Sequence, residues 1–224
     1  MMIRKLLTAA ILLVFSGAYA ETDYSVLLDE ALDAVDWEFE KEWAYTETTL
    51  QDGELWVGRY DPRVSVDDGW KLISVDGREP TSGQVHKFLH DRDEHGGASD
   101  KTVSAIVEPD SLELIEETDD YWLFSFVLSD NEEAFTDSVD TTLKIIKDGR
   151  YISHIEMHNH SAIKPGFGTR LTSFLTWFSF GPAVDGGPIV PKSVKVQVTG
   201  RALFFIAIDE TETIEYSDFE YAGD

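Results

Sequence analysis

Apolar positions in the second half of the chain fall on both faces of the strands that the pattern predicts. Three stretches show this, at residues 121–128, 171–180 and 203–208. In each of them, aromatic or aliphatic side chains occupy odd and even positions alike, although successive side chains of a strand point to opposite faces. Every apolar face of a sheet needs an apolar layer against it. We therefore predict a second layer or a sheet that curves around an apolar cavity.

The remaining pattern predicts helices at two places and short antiparallel strands elsewhere. Apolar residues recur every three or four positions over residues 25–35, which indicates an amphipathic helix. Thr81 precedes Gln84 by three residues, the spacing of a capping box, and predicts a second helix to about Arg92. Asp52-Gly53 separates two alternating segments and predicts a hairpin, because glycine adopts the positive φ that a type I′ turn requires.

The order of these elements predicts an α+β fold built on a single large curved antiparallel sheet. We expect an open half-barrel of about ten strands, with two or three helices covering its concave side. Residues 21–224 form one domain in this interpretation. Near the C-terminus, Gly200 is expected to turn a strand at residues 191–199 into the next at 201–208, and residues 211–219 close the set.

A cavity in such a sheet needs an apolar lining, and aromatic residues of one parity provide candidates. Alternation places the even-numbered aromatic residues of each apolar strand on a shared face. The candidate ligand-binding residues are Trp122, Phe124, Phe126, Phe174 and Phe178. The opposite parity, with Leu123, Val127, Leu175 and Trp177, would then form the outer or helix-packed layer, and the two faces could be exchanged.

The N-terminal residues have the pattern of a cleaved signal peptide. Arg4 and Lys5 precede an apolar run at residues 6–15, and the small residues end in Ala18-Tyr19-Ala20. We expect cleavage after Ala20 and export, with the periplasm as the destination. The chain has no cysteine, so we expect neither a disulfide nor the cysteine-linked lipid of a bacterial lipoprotein. A soluble monomer is the expected product.

The charge of the chain excludes some classes of partner. The formal net charge is −25, and cleavage would remove two further positive charges. Such a field repels phosphate backbones and anionic lipid surfaces, so we expect no nucleic-acid partner and no stable membrane insertion.

One strand carries residues that could bind a metal. His154, Glu156 and His158 alternate along it, with His160 next in the series, so their side chains share a face. Imidazole and carboxylate groups at this spacing can bind zinc or iron. A solvated strand face would show the same pattern, and we predict no metal and no cofactor.

The usual sequence signs of catalysis are missing. There is no cysteine, and no serine lies in a G-x-S-x-G turn. Gly166-Phe167-Gly168 lacks the further glycine and the strand–helix context of a dinucleotide-binding loop. We therefore predict that the chain is not an enzyme.

The C-terminal segment resembles the periplasmic lipoprotein-sorting proteins of the LolA/LolB type. The resemblance is carried by the Pro-Lys-Ser-Val-Lys-Val sequence that begins at Pro191, by Arg201, Phe204 and Phe205, and by the closing residues 213–219. The N-terminal helix followed by a hairpin is similar in plan. Residues 70–81 also resemble a segment of uncharacterised secreted bacterial proteins. The LolA/LolB resemblance implies an open curved sheet, with helices as a lid over a cavity that holds acyl chains.

The function that follows is a soluble periplasmic carrier or binding protein. It would hold a lipid, an acyl chain or a lipidated protein in an apolar cavity, without catalysis. Two alternatives remain open: a metal-binding protein or metal-dependent enzyme that uses the His154, Glu156 and His158 cluster, and an envelope-assembly protein that binds a partner without a small ligand.

Overall fold

The computed structural model describes residues 24–64, 69–95, 106–129, 137–166, 168–203 and 205–223, and the predicted signal peptide lies outside them. Within these residues the chain forms eleven strands, two α-helices and two short 3₁₀ helices. The helices are α1 (Tyr24–Asp33), α2 (Ser82–His95), η1 (Phe39–Lys41) and η2 (Pro109–Ser111). The strands are β1 (Trp43–Gln51), β2 (Glu54–Tyr60), β3 (Trp70–Val75), β4 (Glu113–Glu117), β5 (Tyr121–Ser125), β6 (Val139–Ile146), β7 (Tyr151–Asn159), β8 (Ile163–Gly166), β9 (Thr169–Pro182), β10 (Ile189–Ala202) and β11 (Ile206–Tyr221).

All eleven strands belong to one antiparallel sheet. Their order is β3-β2-β1-β11-β10-β9-β7-β6-β5-β4, and β8 pairs with β9 beside this path. The first strand therefore pairs with the last, with Trp43 opposite Tyr221 and Gln51 opposite Glu212. The end strands β3 and β4 do not meet, so the sheet is open and curved. The predicted α+β class and the single large antiparallel sheet are confirmed.

Local sequence signals account for several element boundaries. Asp52 and Gly53 both have positive φ, 52° and 83°, which is the conformation of a type I′ turn between β1 and β2. At the start of α2, the Thr81 backbone N–H donates to Gln84 Oε1 at 2.9 Å. The Gln84 backbone N–H donates to Thr81 Oγ1 at 3.3 Å in return. The predicted hairpin and capping box are therefore confirmed.

The predicted turn at Gly200 is wrong. Strand β10 continues through Gly200 to Ala202, and β11 begins at Ile206. The glycine is needed for a different reason: a Cβ atom at this position would lie 2.3 Å from the carbonyl oxygen of Arg170 on β9. The pairing of β10 with β9 shifts register between Thr199 and Gly200. Gly200 therefore permits the close approach of two strands at a bulge.

Both helices cover the same face of the sheet, at opposite ends. The larger core lies under α1 and includes Leu28, Phe124 and Ile155, which are 0–1% exposed. A smaller core lies under α2, where Phe88 packs with Leu72 and Val75 of β3. A third, aromatic cluster surrounds Tyr45, with the other buried members being Phe39, Trp43, Tyr60 and Val190. Among the described residues, no helix is long and apolar enough to cross a membrane.

Candidate functional site

A row of registered residues crosses the sheet between the two helix-covered cores. Phe178 on β9 pairs with Val194 on β10, and Val194 pairs with Ile214 on β11. Ile214 pairs with Thr49 on β1, which pairs with Trp56 on β2. Directly paired residues share a face of the sheet, so these five side chains form a continuous band. The band spans five strands, or about 19 Å at the usual strand spacing of about 4.8 Å.

The row continues into the core at each end. Phe178 pairs with Ile155, a fully buried residue of the core beneath α1. At the other end Trp56 pairs with Val75, which lies beneath α2. In the part of the chain that the structure describes, neither α1 nor α2 covers the middle of the row. We call these five residues, Phe178, Val194, Ile214, Thr49 and Trp56, the floor.

Helix α2 forms a partial roof over the β2 end of the floor. Its Phe88 packs close to the backbone of β2 at Gly58, where a Cβ atom would lie 2.5 Å from Phe88 Cζ. The Trp70 ring lies edge-on to Phe88, with ring centroids 5.9 Å apart. The missing side chain of Gly58 therefore allows Phe88 of α2 to pack directly on the backbone of β2.

The space between the floor and α2 is a half-open cavity of about 490 Å³. This volume is within the usual range of small-molecule sites, about 300–1,000 Å³. Its lining joins an apolar floor to a charged rim. The further lining residues are Glu40, Glu47, Gln51, Trp70, Lys87, Phe88, Asp91, Arg92, Glu212 and Tyr216.

A largely buried ion pair stands at the β1 side of the cavity. Both terminal nitrogens of Arg92 on α2 donate to the Glu47 carboxylate, one of them at 3.2 Å. The Glu47 side chain is only 7% exposed and Arg92 is 24% exposed. The Arg92 guanidinium also stacks on Trp70, at 3.6 Å from its ring centroid. This pair ties the last turns of the roof to the floor strand β1.

Two tyrosines beside this pair stay neutral. Burial raises the pKa of Tyr216 well above its ordinary value, and the carboxylates of Glu47 and Glu40 raise it further. Burial and Glu40 likewise raise the pKa of Tyr45, whose hydroxyl donates to Glu40 Oε1 at 2.7 Å. Both hydroxyls therefore stay uncharged next to the acidic rim, and that of Tyr45 is a hydrogen-bond donor to it.

The cavity rim is predominantly acidic. Four carboxylates line it, those of Glu40, Glu47, Asp91 and Glu212, against the two cations Lys87 and Arg92. Arg92 is already paired with Glu47. The described lining residues include no serine, cysteine or histidine. This arrangement can bind an amphipathic molecule, with an apolar body on the floor and a polar end at the rim.

The five aromatic residues predicted to bind a ligand lie on the helix-covered face, but in different surroundings. Phe124 and Phe126 are 0% and 6% exposed and belong to the core beneath α1. Trp122 and Phe174 pack against that core. Phe178 packs there too and also lines the cavity. Ligand binding by these residues stays a prediction.

Helix α1 fills the space that the sequence pattern assigned to a lumen at β5. The Tyr24 ring lies edge-on to Phe124, with centroids 4.9 Å apart. The cavity is displaced toward β1, β2 and β11, where most of its lining had not been singled out in the sequence. One signal was available there, because Val85, Phe88 and Arg92 recur at three and four residues along α2 and mark its sheet-facing side.

The histidine strand is β7, and its polar side chains lie on the face opposite the helices. His154 stacks on Trp177 with ring centroids 4.4 Å apart, and burial lowers the pKa of this histidine. His158 lies 3.4 Å from Glu156, and His160 lies 3.1 Å from Asp140. Among the described residues, no group of three or more His, Cys, Asp or Glu is arranged to hold a metal ion.

Comparison with known proteins adds little to this geometry. No protein-family model matches the chain, and no curated protein matches it. Two solved structures are similar over most of its length. A DUF1329 family protein from Desulfovibrio piger ATCC 29098 has 10% identity and a TM-score of 0.33, over 89% of this chain and 93% of that one. MucB, solved in complex with MucA(peri), has 10% identity and a TM-score of 0.27, over 90% of this chain and 100% of that one. At these TM-scores the likeness carries no argument about function.

Proposed function

We propose that the chain is an exported carrier or binding protein that holds a lipid, an acyl chain or a similar amphiphile in the cavity between α2 and the sheet. The observation that supports this is the floor, a band of four apolar residues and Thr49 across five strands, which neither helix of the described residues covers in its middle. A folded sheet ordinarily buries such a band beneath a second layer. Among the described residues the second layer is interrupted above it, so a bound molecule would complete the core.

The energy available from such a floor is sufficient for binding. Each methylene of an acyl chain that leaves water contributes about 0.8 kcal/mol, so a chain of about 8–16 carbons contributes about 6–13 kcal/mol before ordering costs. The floor needs no charged anchor to reach useful affinity. Binding through apolar contacts without a charged anchor suits a carrier, because a carrier must also release its ligand.

The acidic rim indicates which kind of polar headgroup the ligand would carry. A carboxylate headgroup would face four carboxylates, and Lys87 is the one cation among the described lining residues that lies outside the Glu47 pair. An amine headgroup would instead be attracted by Glu40, Asp91 and Glu212. We therefore expect a long-chain amine to bind more tightly than a fatty acid of the same length.

Displacement of a neutral apolar dye, N-phenyl-naphthylamine, tests the carrier proposal. We expect the wild-type protein to enhance the fluorescence of the dye, and a long-chain amine to reverse the enhancement. Ile214→Glu places a charge in the floor and should weaken dye binding at least about tenfold. The matched control is Ile73→Glu on β3, where the isoleucine is 46% exposed and does not line the cavity.

The comparison of the two variants decides the outcome. Loss of dye binding in Ile214→Glu alone, with a folded far-ultraviolet spectrum in both, supports the proposal. If the wild-type protein binds no dye, or if both variants lose binding equally, the cavity is not a ligand site. An interaction protein without a small ligand would then be the better interpretation.

A further inference from the structure

The hairpin between β10 and β11 exposes large apolar side chains at its tip. Ala202 pairs with Ile206, so Leu203 and Phe205 lie at the end of this hairpin. Leu203 is 56% exposed, Phe205 is 79% exposed and Ile206 is 47% exposed. We call these three residues the β10–β11 tip. It lies at the same end of the strands as the connection between β8 and β9, because Arg201 pairs with Arg170 and Gly166 pairs with Thr169 there.

The backbone of the tip is strained at an apolar residue. Leu203 has a φ of 48°, in the left-handed region that glycine and asparagine occupy at far lower cost. Its side chain is more than half exposed, so it does not repay this cost by packing in the fold. The chain therefore keeps a leucine in a turn that glycine would stabilise, which indicates a role outside the folded monomer.

Cations flank the tip. Arg201 on β10 pairs with Arg170 on β9, and Lys164 lies on the neighbouring strand β8. All three side chains are exposed, and among the described residues none of them forms an ion pair. Along β11, the first acid is Asp209, three residues from Ile206, or about 10 Å along the strand.

We propose that the β10–β11 tip docks on an anionic lipid surface. Apolar side chains at a loop end enter the interface of a bilayer, and neighbouring cations are attracted to anionic headgroups. The sequence predicts that the net charge, −25 before cleavage, repels an anionic surface, but charges more than about 8–10 Å from the tip are screened at physiological ionic strength and oppose docking only weakly. The local cations therefore determine the interaction at the tip. This docking would not depend on the ligand of the cavity.

Sedimentation with vesicles tests the proposal. The chain from Glu21 contains every described residue and lacks the apolar N-terminal run, which would itself bind lipid. We expect it to sediment with vesicles of phosphatidylcholine and phosphatidylglycerol, and much less with phosphatidylcholine alone. Phe205→Ser should lower the partition coefficient about tenfold. Arg201→Gln should lower it about fivefold and reduce its dependence on salt.

Two further variants separate docking from folding. Leu203→Gly should weaken vesicle binding about tenfold while the Tm stays equal or rises, because glycine relieves the strained φ. Val64→Ser is the matched control, since Val64 is 73% exposed on a different loop, and it should leave binding unchanged. The proposal is overturned if the wild-type protein does not bind anionic vesicles, or if Val64→Ser weakens binding as much as Phe205→Ser. Cross-linking of the tip to an envelope protein without vesicle binding would instead identify a protein partner.

Discussion

The pair of Glu47 and Arg92 gives the sharpest test of how the roof is held to the sheet. Arg92→Met keeps a flexible apolar stem against Trp70 and Phe88 but removes the guanidinium. Glu47, which is 7% exposed, then loses both charge-assisted hydrogen bonds from α2. We expect the free energy of unfolding to fall, because a buried charge without a partner is strongly unfavourable.

The magnitude follows from the geometry of the pair. Removal of one partner from a buried ion pair costs about 3–5 kcal/mol. The lower end applies here, since Arg92 is 24% exposed and the Thr49 hydroxyl still donates to Glu47 at 3.0 Å. A loss of about 3 kcal/mol lowers the Tm of a domain of this size by roughly 6–12 °C. Urea unfolding followed by circular dichroism measures the free energy directly.

A double-mutant cycle and a surface control test the reasoning. The double variant of Arg92→Met and Glu47→Gln should be more stable than the sum of the single effects implies, by about 2 kcal/mol. Arg150→Met breaks the exposed pair of Arg150 with Glu30, whose side chains are 61% and 46% exposed, and should cost less than about 1 kcal/mol. Additivity within about 0.5 kcal/mol in the cycle would refute the coupling that we infer.

Three further predictions concern the cores and the outer face. Phe124→Ala should lower the free energy of unfolding by about 3–5 kcal/mol, because the Phe124 ring is fully buried. Phe178→Ala should lower it less and should also weaken dye binding, because Phe178 lines the cavity. Urea unfolding measures the first effect and dye titration the second. Gly58→Val forces Phe88 away from β2 and should cost about 1–3 kcal/mol while widening the cavity mouth; an unchanged Tm would contradict this packing. Burial holds the pKa of His154 below its ordinary value of 6.5, so the unfolded chain binds the proton more readily and stability should fall as the pH drops below 6.5. His154→Gln should flatten that part of the profile relative to wild type, and parallel pH profiles would show that the histidine is not responsible.

Structural features that depend on residues close together in the chain were predictable from the sequence. The hairpin of β1 and β2 lies where the two alternating segments around Asp52-Gly53 predict it. The Asp52-Gly53 turn and the capping box at Thr81 follow from backbone conformations and hydrogen bonds that involve three or four neighbouring residues. The class of the fold was predictable for the same reason, since short turns make neighbouring strands antiparallel.

Only the tertiary structure decided which apolar residues are covered. Phe124 and Phe178 both belong to the predicted aromatic parity, yet one is sealed beneath α1 and the other borders an open cavity. The difference depends on where two short helices rest on one long sheet, and on the pairing of β1 with β11 across most of the chain. Gly200 illustrates the same limit, because the atom that requires glycine there is the carbonyl oxygen of Arg170 on another strand. Contacts between residues distant in sequence leave no local pattern, so the sequence determined the class of the fold and its local turns, whereas the structure determined the extent of β10 and the position of the site.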